Sequence, residues 1–194
     1  MSTSSPAKKL MTAADFFAWA KTCPHGRFEL EDGVIVAMAP ERVRHNLVKG
    51  AIYRTLGDAV RAAGLPCTVF SDGVGIVINN HVVREPDASV QCGVEADLDA
   101  MSIVAPLIVV EVGSPSSERL DSGVKLVEYF SVPSICHYLL VLPEKRVVVH
   151  HRRRKHDVLD TRIAHDGGIV LDPPGMTVAV SALLGPSAEP EAGP

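Results

Sequence analysis

Polar and apolar residues alternate on either side of Glu31-Asp32-Gly33, in the segment RFELEDGVIVAMAP. A period of two around Asp-Gly predicts a β-hairpin. The period then changes. Val48, Ile52, Leu56 and Val60 recur every four residues and predict a helix over 44–63, opened near His45 and closed at Gly64. An earlier helix over 12–21 carries Phe16, Phe17 and Trp19 behind Thr12, a capping residue. Short strands are expected at 67–71, 74–79 and 82–91, with Asn79-Asn80 as the turn between the second and third. Residues 106–112, PLIVVEV, form a nearly unbroken apolar run bounded by Pro106 and Gly113, which fits a strand covered on both faces.

A third helix is expected over 117–130. Two β-branched strands follow at 136–142 and 146–151, joined by Pro-Glu-Lys, and then weaker strands at 157–163, 168–171 and 177–179. This order predicts an α/β fold of the mixed α+β kind, a central mixed β-sheet flanked by helices, with an N-terminal helix and β-hairpin.

The 194 residues suit a single domain, expected over 11–184. The ends, 1–10 and 185–194, are rich in Ser, Ala, Pro and Gly and read as flexible tails. Hydrophobic content of 46% and charged content of 22% are ordinary for a globular protein. A net charge of −4 lends no support to unspecific nucleic-acid binding, although a local basic surface remains compatible with it. Cys23, Cys67, Cys92 and Cys136 form no CxxC pair and match neither zinc spacing nor a compact disulfide framework, so they read as reduced, mostly buried thiols. The N-terminus lacks the apolar stretch of a signal peptide, and no run approaches the roughly 18 apolar residues of a membrane span, so a cytoplasmic protein with no membrane partner is expected.

Glu29, Asp87, Glu111 and Lys125 are the candidate chemistry. Carboxylates at strand ends with one lysine can hold a hard divalent cation and activate a water beside it. Glu111 closes an apolar run and needs a cation, a hydrogen-bond network or solvent. The plain alternative is that the strand ends there and Glu111 faces water. Asp87 follows Pro86, and a turn aspartate is its commoner meaning. Asp121, Lys125 and Tyr129 stand four apart and share a helix face, where a solvated ion pair is the alternative to a catalytic lysine. Ser114 and Ser116 precede that helix and could cap it or hold an anion. Glu29 in isolation reads as an outward strand residue. His45 reads as an exposed helix-start histidine, or as a phosphate contact or proton carrier.

The run His150-His-Arg-Arg-Arg-Lys-His156 is expected at a hairpin tip, solvated or guarding a strand edge, with a phosphate grip as the minority reading. No GxSxG, GxGxxG, Walker loop or HExxH occurs.

Together these residues resemble the bacterial "putative restriction endonuclease" family, also called the Uma-two family, of the PD-(D/E)XK nuclease superfamily. The resemblance is carried by Phe28-Glu-Leu-Glu-Asp-Gly33, by Met38-Ala-Pro-Glu41 with His45 after it, and by Glu85-Pro-Asp-Ala-Ser-Val90. It continues through Pro106-Leu-Ile-Val-Val-Glu-Val-Gly-Ser-Pro-Ser-Ser117 and then Asp121, Lys125 and Tyr129, and spans roughly 10–183. It implies a restriction-endonuclease-like fold with Asp87 and Glu111 as metal-binding acids and Glu29 as the acid from the N-terminal part. The superfamily's usual lysine, two residues beyond the second acid, falls on Gly113 here. Lys125 matches the helix position from which this family supplies a lysine instead.

The expectation is a Mg²⁺ (or Mn²⁺) dependent endonuclease that hydrolyses DNA. Asp87, Glu111 and the Val112 carbonyl would hold the metal, Lys125 would position the nucleophile, and a homodimer would cut two strands. The alternative is an inactive nuclease-fold module that binds nucleic acid or a protein. A third reading is an enzyme of this fold acting on another phosphorylated or nucleotide substrate.

Overall fold

The computed structural model describes residues 10–23, 25–113, 121–155 and 158–186, with the side chains of residues 121 and 122 outside that description. Helix α1 (Ala13–Ala20) starts at a capping box in which Thr12 and Asp15 bond each other's backbone amides. Strands β1 (Phe28–Glu31) and β2 (Val34–Ala37) form the expected hairpin. Its turn residues Asp32 and Gly33 have φ of 46° and 74°. Two successive positive values make a turn that matches the twist of the strands, and Asp-Gly tolerates both. Helix α2 (Val43–Ala62) follows, then β3 (Cys67–Ser71), β4 (Gly75–Asn79), β5 (Val82–Arg84), β6 (Ala88–Cys92), β7 (Ser102–Ile103) and β8 (Pro106–Val112). The remainder is α3 (Asp121–Ser131), β9 (His137–Leu142), β10 (Val147–Arg153), β11 (Leu159–Ala164), β12 (Gly168–Leu171), β13 (Met176–Ala179) and the short α4 (Val180–Leu183).

Two mixed sheets carry the fold. One has the order β2-β1-β5-β4-β7, and the other β11-β10-β9-β8-β6-β3. Strand β8 is the hub of the second. It pairs antiparallel with β6 and parallel with β9. Alternate residues of β8 enter different cores. Ile108, Val110 and Val112 pack with the α2 stripe Val48, Ile52, Leu56 and Val60. Val109 packs with Tyr129, Ile135 and Tyr138, on the side of α3. The strand is covered on both faces, as its unbroken apolar run requires.

The structure corrects several expectations. The strand over 82–91 is two strands in two sheets, β5 and β6. The break falls at Glu85-Pro86-Asp87, where Pro86 has no amide to donate and the Glu85 amide bonds the Glu29 side chain (2.9 Å). The two-residue β7 was not anticipated.

Cys67 and Cys92 are not free thiols. They face each other across β3 and β6, with Cα atoms 4.0 Å apart, and form a disulfide. A pairing between strands 25 residues apart leaves no mark in local cysteine spacing. Cys23 and Cys136 are free and only half-buried.

The basic run is not a loop tip either. His150–Arg153 lie inside β10, so the pattern continues as strand where charge suggested solvent. Arg153 donates to the carbonyls of Phe130, Val132 and Ile135 and stacks on the Phe130 ring. Arg154 pairs with Asp160. These arginines tie the end of α3 and the β10–β11 hairpin together. His156 lies outside the described residues.

A buried histidine pair sits in the same strands. His137 Nε2 lies 2.8 Å from the Pro173 carbonyl, and its Nδ1 lies 2.9 Å from His150 Nε2. A carbonyl only accepts, so His137 Nε2 carries the proton, its Nδ1 accepts, and His150 Nε2 donates. Burial pushes both rings down to about 4. Folded-state values below the unfolded value favour protons in the unfolded chain. The pair's stabilisation is therefore complete above about pH 6.5 and is lost as pH falls towards 4. Urea unfolding is expected to show a loss of up to about 4 kcal/mol between pH 7 and pH 5 from these rings, about 2 from each. The His150→Gln variant, which keeps a donor, is expected to show a shallower slope. Equal slopes would remove the pair from the account.

Candidate functional site

The end of β8 places Glu111 on the face that α3 covers. Lys125 and Tyr129 lie one turn apart on α3 and reach the same carboxylate. The Tyr129 hydroxyl donates to Glu111 Oε1 at 2.6 Å, and Lys125 Nζ lies 3.1 Å from that oxygen. Lys125 Nζ is also 3.7 Å from Glu29 Oε1, which projects from β1 of the other sheet. Glu29 is 6% exposed, not outward-facing. Its Oε1 accepts the Glu85 amide and its Oε2 accepts from Arg84. Arg84 is 3% exposed and is shared with Glu31 and Glu128.

Asp87 stands just ahead of β6. Ala88 pairs with Val110, so the antiparallel register brings Asp87 opposite Glu111. The Val112 amide donates to Asp87 Oδ2 at 2.7 Å. Lys49 Nζ lies 3.1 Å from Oδ1, and His45 Nε2 is 3.6 Å from Oδ2. Glu29, Asp87, Glu111 and Lys125 thus gather at one place, with His45 and Tyr129 beside them. Ser114 and Ser116, and the side chain of Asp121, fall outside the described residues.

The two neighbouring acids are driven apart. Burial, with the charges of Asp87 and Glu29, raises the Glu111 carboxyl to about 7 against the pull of Lys125 and Tyr129. Burial also works against the Asp87 carboxylate. His45, Lys49 and the Val112 amide outweigh it and hold Asp87 below the usual carboxylate range. The Asp87 carboxylate in turn raises His45. Adjacent groups with opposite shifts are a common mark of acid–base or metal chemistry, though ion-pair networks also produce them.

Sequence reasoning missed a second ring of charge. Lys49 is 5% exposed and touches Glu41, Asp72 and Asp87. Arg27 bridges Glu41, Asp72 and Glu85. The available signal for Lys49 was its place one turn after His45 on α2. Arg84 stood in view in Arg84-Glu85-Pro86-Asp87, masked by the expectation of a continuous strand.

The donor set suits a hard cation. Carboxylates at Glu29, Glu31, Glu41, Asp72, Glu85, Asp87, Glu111 and Glu128 share four obligate cations, Arg27, Lys49, Arg84 and Lys125. That leaves a negative surplus among the described residues, felt most by Glu111. One atom each from Glu41, His45 and Asp87 also lie within 4.8 Å of one another. This group meets the expected Asp87–Glu111–Val112 set only at Asp87.

Gly113 has a packing role. A Cβ there would overlap Leu142 Cδ2, so a side chain at this position requires Leu142 to move. A lysine arriving from α3 avoids that conflict.

Among the described residues, no helix is long and apolar enough to cross a membrane. The chain is 26% identical over 184 residues to an uncharacterized protein of Synechocystis sp., covering 94% of this chain and 95% of that one. Its fold is similar to a crystal structure from Anabaena variabilis described as a "putative nuclease" (TM-score 0.70, 15% identity, 90% of this chain and 97% of that one). Residues 13–183 match the family described as "Putative restriction endonuclease", Uma2. The match contains every element from α1 to α4 and each of the gathered acids, and the chain belongs to that family.

Proposed function

We propose that the chain is a Mg²⁺- or Mn²⁺-dependent endonuclease that hydrolyses DNA phosphodiester bonds. The observation that carries this reading is the meeting of Asp87, just ahead of β6, with Glu111 of the paired strand β8, and Lys125 3.1 Å from Glu111. Asp87 and Glu111, with the Val112 carbonyl, supply oxygen donors of the kind hard cations prefer. A divalent cation bound there supplies Lewis acidity and a water of lowered pKa.

The chain's own groups do the rest. The Val112 amide and Lys49 fix the Asp87 carboxylate from two sides. Tyr129 fixes Glu111. Lys125 orients the attacking water and offsets charge on the phosphate, held between Glu111 and Glu29. His45, whose pKa the Asp87 carboxylate raises, contacts the phosphate or carries the proton to the leaving oxygen. Two chains acting together would serve a double-strand cut.

Calorimetric titration with Mg²⁺ and Mn²⁺, run beside plasmid cleavage on wild type and Asp87→Asn, tests the reading. Wild type is expected to bind the cation and nick plasmid. Asp87→Asn, which keeps size and can still accept the Val112 amide, is expected to lose both. A wild type that binds no cation even with DNA present overturns the catalytic reading and leaves a nuclease-fold binding module.

A further inference from the structure

A cavity of about 320 Å³ opens beside the gathered acids, lined by His45 of α2 and by Val112 and Gly113 at the end of β8. Its outer wall is built from residues with no place in the chemistry above. Pro40, Arg42 and Arg44 come from the approach to α2 and its first turn, and Pro143 from the turn after β9. We infer that this cavity is a nucleotide subsite that takes one unpaired nucleotide next to the scissile phosphate. The inference rests on the nuclease reading and deepens it by naming the form of the substrate.

Size comes first. The volume lies near the lower end of small-ligand pockets, which begin at about 300 Å³, and suits one nucleotide rather than a base pair. Chemistry comes second. Pro40 and Pro143 offer flat apolar surface to a sugar or base, and Arg42 and Arg44 offer the planar donor forks that match phosphate. Charge comes third. Glu41 on the same wall is already clasped by Arg27 and Lys49, so it does not oppose an anion freely. Glu144 pairs with Arg44 at 3.0 Å, but those side chains are 62% and 41% exposed for Arg44 and Glu144. Such an open pair is weak in water, and a phosphate can take the place of Glu144.

A nucleotide seated here has its neighbouring phosphate at His45 and the end of β8. A paired base would first have to leave its stack, which favours single strands, flaps and frayed ends.

The test is fluorescence anisotropy with a short labelled oligodeoxynucleotide, offered as a single strand and as a blunt duplex, with Ca²⁺ in place of Mg²⁺. Wild type is expected to bind the single strand about tenfold or more tightly than the duplex. Ala39→Trp, which fills the mouth of the cavity, and Arg44→Glu are each expected to lose about tenfold of that affinity. Arg54→Glu, an equal charge change farther along α2, is expected to lose less than about threefold. Equal or tighter duplex binding by wild type overturns the subsite without reference to any variant. Cavity variants that bind like wild type, or a control that falls as far as Arg44→Glu, also overturn it.

The two readings fail separately. Plasmid cleavage that the cavity variants leave untouched sinks the subsite and keeps the nuclease. Single-strand binding that follows the cavity variants, in a protein that neither binds cation nor cleaves, keeps the subsite and sinks the nuclease.

Discussion

Glu111→Gln is expected to reduce cleavage by about three orders of magnitude or more, because several kcal/mol of Lewis-acid stabilisation go with the lost donor. The substitution is conservative in shape. The new side-chain amide would still accept from Tyr129 through its carbonyl oxygen, and Lys125 would keep Glu29 as a partner, so unfolding is not the expected cause.

The wild type adds a signature that a structural role would not produce. Burial and the charges of Asp87 and Glu29 lift the Glu111 carboxyl to about 7, so a cation has to displace a proton there below neutrality. Apparent Mg²⁺ affinity is expected to fall about tenfold per pH unit below 7 and to level off above it. Stability runs the other way in the cation-free protein. A carboxyl raised in the folded state binds more protons there than in the unfolded chain, so Glu111's own contribution declines as pH rises from about 4.5 to 7, against the gain from the His137–His150 pair. Added Mg²⁺ is expected to restore it at pH 7 and not at pH 5. Calorimetry across pH on wild type and Glu111→Gln checks both slopes. A pH-independent affinity would remove Glu111 from the ligand set.

Arg84→Met is expected to have the largest effect on stability. The guanidinium is 3% exposed and serves Glu29, Glu31 and Glu128 at once. Removing one side of a buried ion cluster strands the other and typically costs about 3–5 kcal/mol. For a chain of this size that corresponds to about 10 °C in melting temperature. The cost is electrostatic, so it is expected to shrink when Glu128→Gln is added to Arg84→Met. A deficit of the same size in the double variant would point to lost packing instead. The exposed Arg61–Asp58 pair is the contrast, and its removal is expected to leave melting unchanged.

Glu111 was legible in the sequence because a charge that closes a run of five apolar residues is costly wherever it goes. Lys125 and Tyr129 were legible together because helical spacing of four puts them on one face. The register between β6 and β8 was not legible, yet it makes Asp87 and Glu111 neighbours. The same non-local pairing hid the Cys67–Cys92 bridge. Lys49 was hidden for another reason. A lysine on a polar helix face looks solvated until the chain brings Asp72 and Asp87 to it from elsewhere. The basic run misled in the opposite direction. Its arginines looked solvated at a hairpin tip, but Arg153 serves backbone carbonyls at the end of α3.

The crossing at Glu85-Pro86-Asp87 carries the chain from one sheet to the other, and each side of the seam is gripped by a site carboxylate. Glu29 holds the Glu85 amide, and Asp87 holds the Val112 amide. Lys125 spans the seam between Glu29 and Glu111. The groups proposed for chemistry are therefore also the rivets of a joint. A force that slid one sheet past the other would load those hydrogen bonds first. Selection for a stiffer or looser seam would act on the same few side chains that set the reaction, so mechanical and chemical properties of this chain are tied to evolve together.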